Sequence, residues 1–139
     1  MKKVKSSFNI KDLEHISGIK AHTIRIWEKR YKLLSPERTD TNIRKYSLDS
    51  LRKLLNVTLL YKEGFKISKI ANLEPNEIPT IVRQIALENN SENISINAFK
   101  LAMVNFDVVM FDTKHKTLVE KNGFEFVFFK IFIPLMTEL

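Results

Sequence analysis

Basic and aromatic side chains are concentrated in one short stretch of the chain, from Thr23 to Tyr46. The stretch begins T-I-R-I-W-E-K-R-Y and, after a turn marked by Pro36, continues with E-R-T and I-R-K-Y. Arginine forms paired hydrogen bonds with guanine edges and with phosphate, and an apolar residue beside it can contact the methyl group of thymine. This mixture of residue types suits nucleic-acid recognition.

A helix from about Ala21 to Tyr31 would divide these side chains between two faces. At about 100° per residue, Ile24, Trp27 and Tyr31 fall on a side that we expect to face the core. The opposite side then carries His22, Arg25, Ile26, Lys29 and Arg30. A solvated surface is the plain alternative for that side, but the short helix and the Gly18 turn that precede it favour a helix-turn-helix unit.

The segments that follow this helix have the pattern of a small hairpin, or wing. Residues 37–39 and 43–46 can pair across Asp40-Thr41-Asn42, where Asn42 tolerates a left-handed conformation. Three cations make the hairpin basic: Arg38, Arg44 and Lys45. A helix followed by a basic hairpin can read a DNA groove and hold the backbone beside it.

Capping residues and apolar periodicity mark the other helices. Asn9 is expected to cap the first helix, and later N-caps are predicted at Ser47, Ser68, Ser95 and Asp107. The last helix, from Phe124 toward Leu139, has almost no polar face, so it must be buried on several sides or exposed as an adhesive surface. The predicted fold is mainly α: a winged helix-turn-helix with a small two-stranded wing, then an incomplete helical bundle.

The positive charge lies in the N-terminal half. Residues 1–73 hold 17 Lys and Arg against 7 Asp and Glu, a net +10, whereas residues 74–139 hold 6 against 9, a net −3. Neutralised phosphates release condensed counterions, so a polyanion would bind the first half; solubility is the alternative role of such charge. We expect a DNA-binding domain over residues 1–73 and a helical segment over residues 74–139.

Several kinds of chemistry are disfavoured by what the sequence lacks. The absence of Cys excludes disulfides and thiol catalysis, and the three His residues show no metal-ligand spacing. Neither a signal peptide nor an apolar run of about 18 residues is found. We expect no catalytic residues, no metal site, no membrane partner and a cytoplasmic location.

Four motifs follow one another over residues 8–73: A-H-T-I-R-I-W-E-K-R-Y, L-L-S-P-E-R-T, N-I-R-K-Y-S and Y-K-E-G-F-K-I-S-K-I-A. As a linked set they resemble the MerR family of bacterial transcription regulators. The resemblance implies that the second helix enters the major groove of double-stranded promoter DNA, with the wing on the flanking backbone and a homodimer on a pseudo-palindromic site. The residues expected at the DNA are Thr23, Arg25, Ile26, Lys29, Arg30, Tyr31, Arg38, Arg44 and Tyr46.

The Trp in the second helix narrows this resemblance to the vitamin-B12-linked, light-responsive branch. Residues 74–139 are similar to the opening helices of the B12-binding cap in those regulators. The Trp-x-x-x-Glu-His and Asp-x-His-x-x-Gly motifs of that branch do not occur, so no cofactor is assigned to this chain and cobalamin is expected only for a longer parent protein. We interpret the chain as a fragment of such a regulator, with a naturally short paralogue as the alternative.

The chain departs from the family pattern at two places. Lys20 stands where the second helix usually opens with Ser, which removes a side-chain cap worth about 1 kcal/mol. The wing tip has Asp40-Thr41-Asn42 in place of a turn that usually contains Gly.

A second function stays open from the sequence. In an interaction adaptor, the basic helix and wing would bind an acidic protein and the apolar C-terminal helix would recruit a partner. Three arginines, Arg25, Arg30 and Arg44, favour DNA, because the guanidinium group suits guanine and phosphate.

Overall fold

Helices dominate the fold, and the computed structural model describes the chain over residues 7–139. In chain order the elements are β1 (Ser7–Phe8), α1 (Ile10–Ser17), α2 (Ala21–Tyr31), β2 (Glu37–Arg38), β3 (Arg44–Ser47), α3 (Leu48–Glu63), α4 (Ile67–Ala71), α5 (Ile78–Glu88), α6 (Glu92–Val104), α7 (Val108–Asn122), α8 (Phe124–Val127), a π-helical turn (Phe128–Phe132) and α9 (Ile133–Thr137). The mainly α class is confirmed, with a winged helix-turn-helix followed by further helices.

Side-chain caps define the helix-turn-helix unit. In α1, Asn9 Oδ1 accepts from the Asp12 amide at 2.8 Å, and the Asp12 carboxylate accepts from the Asn9 amide at 3.0 Å, which completes a capping box. As predicted, Lys20 provides no side-chain cap for α2. Instead, Glu14 of α1 accepts from the Ala21 amide at 2.7 Å. The preceding helix thus supplies the acceptor that the local sequence lacks.

The predicted two-stranded wing is present as β2 and β3, and β1 extends it to a three-stranded antiparallel sheet. Its strand order is β1-β3-β2, with Arg38 opposite Arg44 and Phe8 opposite Tyr46. The structure describes two residues of β1, which are too few to show the alternating pattern by which strands are recognised. Asn42 has a φ of 62°, so it adopts the left-handed conformation expected of it.

The later helices agree with the sequence except at two caps. The confirmed N-caps are Ser47 and Asp107. The predictions that are wrong concern Ser68 and Ser95, since α4 begins at Ile67 without a side-chain cap and Ser91 caps α6. α6 begins early enough to include Ile94, which is 2% exposed. Burial of that side chain explains why the helix extends beyond the cap that the sequence suggested.

Within residues 7–139, apolar side chains form two packed clusters. The larger extends from Phe8 to Met110 and includes residues on both sides of the segment 74–77. Its centre is α3, which packs against α1, α4, α5 and α6. The smaller cluster surrounds Phe99 and includes Leu118. α3 is therefore the scaffold on which both the wing and the later helices are placed.

The C-terminal segment has one buried face and one exposed face. Its buried residues are Val127, Ile131 and Leu135, which pack in the smaller cluster. Its most exposed apolar residues are Phe124, Phe129 and Met136. The segment is therefore partly buried and partly exposed, which combines the two alternatives considered from the sequence. Over residues 7–139, no helix combines the length and the apolar character needed to cross a membrane.

Among the described residues, two lysine side chains are buried, Lys100 and Lys114, each with an exposed fraction of 1%. Lys100 Nζ pairs with the Glu138 carboxylate at 3.2 Å. Lys114 Nζ instead donates to the Asn89 carbonyl at 2.8 Å and to Asn90 Oδ1 at 3.0 Å. Burial lowers the pKa of both amines, that of Lys114 to about 8. Neutral acceptors offset the lost hydration of an ammonium group less well than a carboxylate does.

The buried position of Trp27 can be tested by its removal. Trp27 is 5% exposed and its ring meets Tyr61 edge-on, with 5.0 Å between ring centroids. We expect Trp27→Ala to lower the free energy of unfolding in urea by roughly 3–5 kcal/mol, through lost burial and the cavity that remains. The adjacent Ile26→Ala, at a side chain 40% exposed, should cost much less. Equal stabilities for the two variants would contradict the core position of Trp27.

Lys114 gives the stability of the fold a defined pH dependence. Its amine titrates near pH 8 in the folded chain and at about 10.5 when unfolded, so between these values the unfolded chain binds more protons and folding stability rises with pH. From about pH 7 to about pH 9.5, wild type should gain roughly 2 kcal/mol relative to Lys114→Met. Chemical denaturation at both pH values measures this gain, with the exposed Lys116→Met as control. Parallel pH profiles for wild type and Lys114→Met would contradict it.

Candidate nucleic-acid interface

The surface of α2 separates into the two faces that its periodicity predicts. The exposed side chains are His22, Arg25, Ile26, Lys29 and Arg30. On the other side, Ile24 is 0% exposed and packs in the core with Trp27. Aromatic and aliphatic groups therefore hold the helix, and its cations are left in water around one accessible isoleucine.

Two of the predicted interface residues, Thr23 and Tyr31, are half-buried beside this face. The Arg30 guanidinium lies over the Tyr31 ring, with Cζ 5.7 Å from the ring centroid. A cation–π contact of this length restrains the arginine at the end of the helix. Lys32 then ends α2 in a left-handed conformation, with a φ of 53°, and its amide donates to the Glu28 carbonyl.

The wing presents exposed cations on a turn closed by hydrogen bonds. Arg38 and Lys45 are exposed, and Ile43 is 58% exposed between them in sequence. The Thr39 hydroxyl accepts from the Ile43 amide at 3.0 Å, and the Thr39 amide donates to the Ile43 carbonyl at 2.9 Å. Arg38 Nη1 donates to the Asn42 carbonyl at 3.3 Å. These bonds define the turn at Asp40-Thr41-Asn42 without a glycine.

Glu28 joins α2 to the wing. Its Oε1 accepts from Arg44 Nε at 3.3 Å, and its Oε2 accepts from the Tyr46 hydroxyl at 2.7 Å. The Glu28 side chain is 12% exposed and that of Arg44 is 32% exposed. A largely buried carboxylate with both oxygens engaged fixes the hairpin relative to the helix. The sequence alone did not distinguish this role, because Glu28 was compatible both with a solvated surface and with a DNA-binding one.

Tyr46 is buried, with an exposed fraction of 1%. Burial, and then the hydrogen bond to Glu28, raises the pKa of its hydroxyl, which therefore remains a proton donor at neutral pH. Because the pKa of Tyr46 is higher in the folded chain than in the unfolded chain, the protonated hydroxyl stabilises the fold. This contribution to the free energy of unfolding is fully present below pH 10.0 and is lost at higher pH. Tyr46 was predicted at the DNA from the sequence; in the structure it is buried, and its hydroxyl supports the wing through Glu28.

The link between α2 and the wing can be tested with two substitutions of Glu28. Glu28→Ala should lower the free energy of unfolding by about 1–3 kcal/mol, because it leaves the buried Tyr46 hydroxyl without its acceptor. Glu28→Gln keeps a neutral acceptor oxygen and should cost less. Thermal or urea unfolding measures both, with Glu37→Ala on the exposed edge of the wing as control. If Glu28→Ala were as stable as the control, the proposed link would be wrong.

Comparison with known proteins agrees with this arrangement. The family described as MerR HTH family regulatory protein matches residues 8–77, about half of the chain. The HTH-type transcriptional repressor CarH of Myxococcus xanthus is 29% identical over 87 residues, which cover 63% of this chain and 29% of CarH. The chain thus corresponds to less than a third of that relative's length. With α1, α2 and the wing inside the matched residues, the chain belongs to the MerR family of helix-turn-helix regulatory proteins.

Proposed function

We propose that this protein binds specific sequences in double-stranded promoter DNA and thereby regulates transcription, with α2 in the major groove and the wing on the flanking backbone. The observation that carries the proposal is the exposed face of α2, where three cations surround Ile26. Membership of a regulatory helix-turn-helix family supports the same conclusion. The favourable charge of residues 1–73, a net +10, would attract the phosphate backbone.

The proposal gives different side chains different tasks. Arg25 and Ile26 are central on the exposed face of α2 and would read base edges, with Thr23 beside them. Lys29 and Arg30 would contact phosphates at the end of the helix. From the wing, the exposed cations Arg38 and Lys45 would contact the flanking backbone.

Other predicted interface residues would act through neighbours. Tyr31 would hold Arg30 by the cation–π contact, and Tyr46 would hold Glu28. Arg44 is paired with Glu28 but remains 32% exposed, so it would both support the wing and approach phosphate.

The domain division and assembly are also proposals. Residues 1–73 would form the DNA-binding domain and residues 74–139 the helical segment that follows it. A homodimer would place two copies of α2 on the half-sites of a pseudo-palindromic operator, as helix-turn-helix dimers do.

An interaction adaptor remains the second candidate, because the C-terminal segment exposes large apolar residues. Phe124 and Phe129 are 64% and 63% exposed. In that function the basic face of α2 would bind an acidic protein, and duplex DNA would be bound without regard to sequence.

A gel-shift assay separates the two functions. A duplex selected by the protein from a random library serves as the probe, in a series of salt concentrations and with excess unrelated DNA. Specific binding should keep the selected duplex bound against the competitor, although higher salt weakens all complexes. Equal displacement from every sequence would refute sequence-specific recognition and favour the adaptor.

Substitutions of Arg25 and Arg38 should weaken DNA binding in different ways. Arg25→Ala should cost about 1–3 kcal/mol on the selected duplex and relax its sequence preference, because a base contact is lost. Arg38→Ala should weaken all duplexes similarly and reduce the salt dependence, because a phosphate contact is lost. Lys116→Ala, an exposed cation on α7, is the control. Unchanged affinity in both wing and helix variants would contradict the proposed docking.

A further inference from the structure

A cleft lies between the end of α2 and the helices that follow the wing. It has two adjoining chambers, of about 330 Å³ and about 370 Å³. Both chambers are lined by Arg52 and Asn56 of α3 and by Pro79 of α5. Each volume falls within the range of small-molecule sites in proteins, which begins at roughly 300 Å³.

The lining of the cleft combines an apolar floor with positive charge. Apolar side chains in it include Ile70, Leu73 and Ile78 in the first chamber and Val82, Leu101 and Met110 in the second. Four cations line it: Lys32, Arg52, Lys53 and Arg83. Its two acids, Asp49 and Asp107, are already paired with Arg52 at 3.1 Å and Arg83 at 2.6 Å. The cleft is therefore net positive, which suits an anion.

Arg52 stands where the chambers meet and has unused hydrogen-bonding capacity. Its Nη1 donates to Asp49 Oδ1 and its Nε is buried out of reach of a bound molecule, but the side chain as a whole remains 36% exposed. The exposed part of this group can bind an anion, because guanidinium groups bind carboxylate and phosphate oxygens strongly. An anionic group seated in the cleft would lie beside this guanidinium.

The cleft also reaches the proposed DNA-binding helix. Tyr31 and Lys32, the last residue of α2 and its left-handed C-cap, both line the first chamber. The Tyr31 ring in turn lies beneath Arg30 on the exposed face. A molecule bound in the chamber would therefore contact the residues that restrain one end of that face.

We propose that this cleft binds a small amphipathic anion, an apolar body carrying a carboxylate or phosphate group, and that its occupancy changes the affinity of the protein for DNA. The apolar floor would hold the body and Arg52 the anionic group. The regulatory part of the proposal rests on the proposed function, whereas binding of the anion does not.

The binding test uses the whole chain without DNA. Octanoate and octyl phosphate are titrated below their micelle concentrations, with octanol as the neutral control, and binding is followed by calorimetry and by NMR signals of Tyr31 and Arg52. We expect saturable binding of at least one anion and none of octanol, and the stronger anion identifies carboxylate or phosphate as the preferred group. No saturable binding of either anion, or equal binding of octanol, would overturn the proposal.

Two variants locate the site. Arg52→Gln should weaken binding of the anion by about tenfold, because a charge-assisted hydrogen bond is lost. Lys53→Gln removes an exposed cation of the same cleft, so it tests the site even if Arg52→Gln folds poorly. Lys116→Gln on α7 is the matched control. If Arg52→Gln and Lys53→Gln both bound the anion as tightly as Lys116→Gln does, the anion would bind outside this cleft and the assignment would be refuted.

The regulatory part is tested on the selected duplex in the presence of saturating anion. Coupling is reciprocal, so the factor by which the anion changes DNA affinity must equal the factor by which DNA changes anion affinity. An unchanged DNA affinity would overturn the regulatory part. Failure of the chain to bind any preferred DNA, with anion binding intact, would instead refute the proposed function alone.

Discussion

The carboxylate of Glu28 is the constraint on which the arrangement of helix and wing depends. One oxygen accepts a hydrogen bond from Arg44 and the other accepts one from Tyr46, so a side chain of α2 fixes the position of β3. Because the group is largely buried, neither bond is exchanged for water without cost. The helix and the hairpin therefore present their cations on one surface. This side-chain link is needed because β2 has two residues, so few backbone hydrogen bonds hold the wing.

This surface is basic because the core takes the other side chains. Trp27 and Ile24 anchor α2, and the Phe8 to Met110 cluster continues through α3 into the helices of the second half. The packing that leaves Arg25 exposed also places Tyr31 in the lining of the cleft. A molecule between these helices would contact side chains at the end of α2 directly.

Where local rules were sufficient, the predictions were close to the structure. The first helix, its Asn9 cap, the extent of α2 and the left-handed Asn42 all follow from interactions within a few residues. The errors have a common origin. Ser95 is a good capping residue, yet the burial of Ile94 required the helix to begin earlier, and β1 exists only because β3 lies beside it.

By itself, the sequence determined the family, the helical class, the two faces of α2 and the concentration of positive charge in the first half. Only the tertiary structure decided which polar groups remain available to a partner. The Tyr46 hydroxyl is bound by the Glu28 carboxylate, 18 residues away, and the Lys114 amine is buried against Asn89. Arg52 lies between the two chambers of the cleft. The physical reason is distance along the chain. Caps and periodicity act over about four residues, whereas burial and side-chain pairing depend on which segments the packed core brings together.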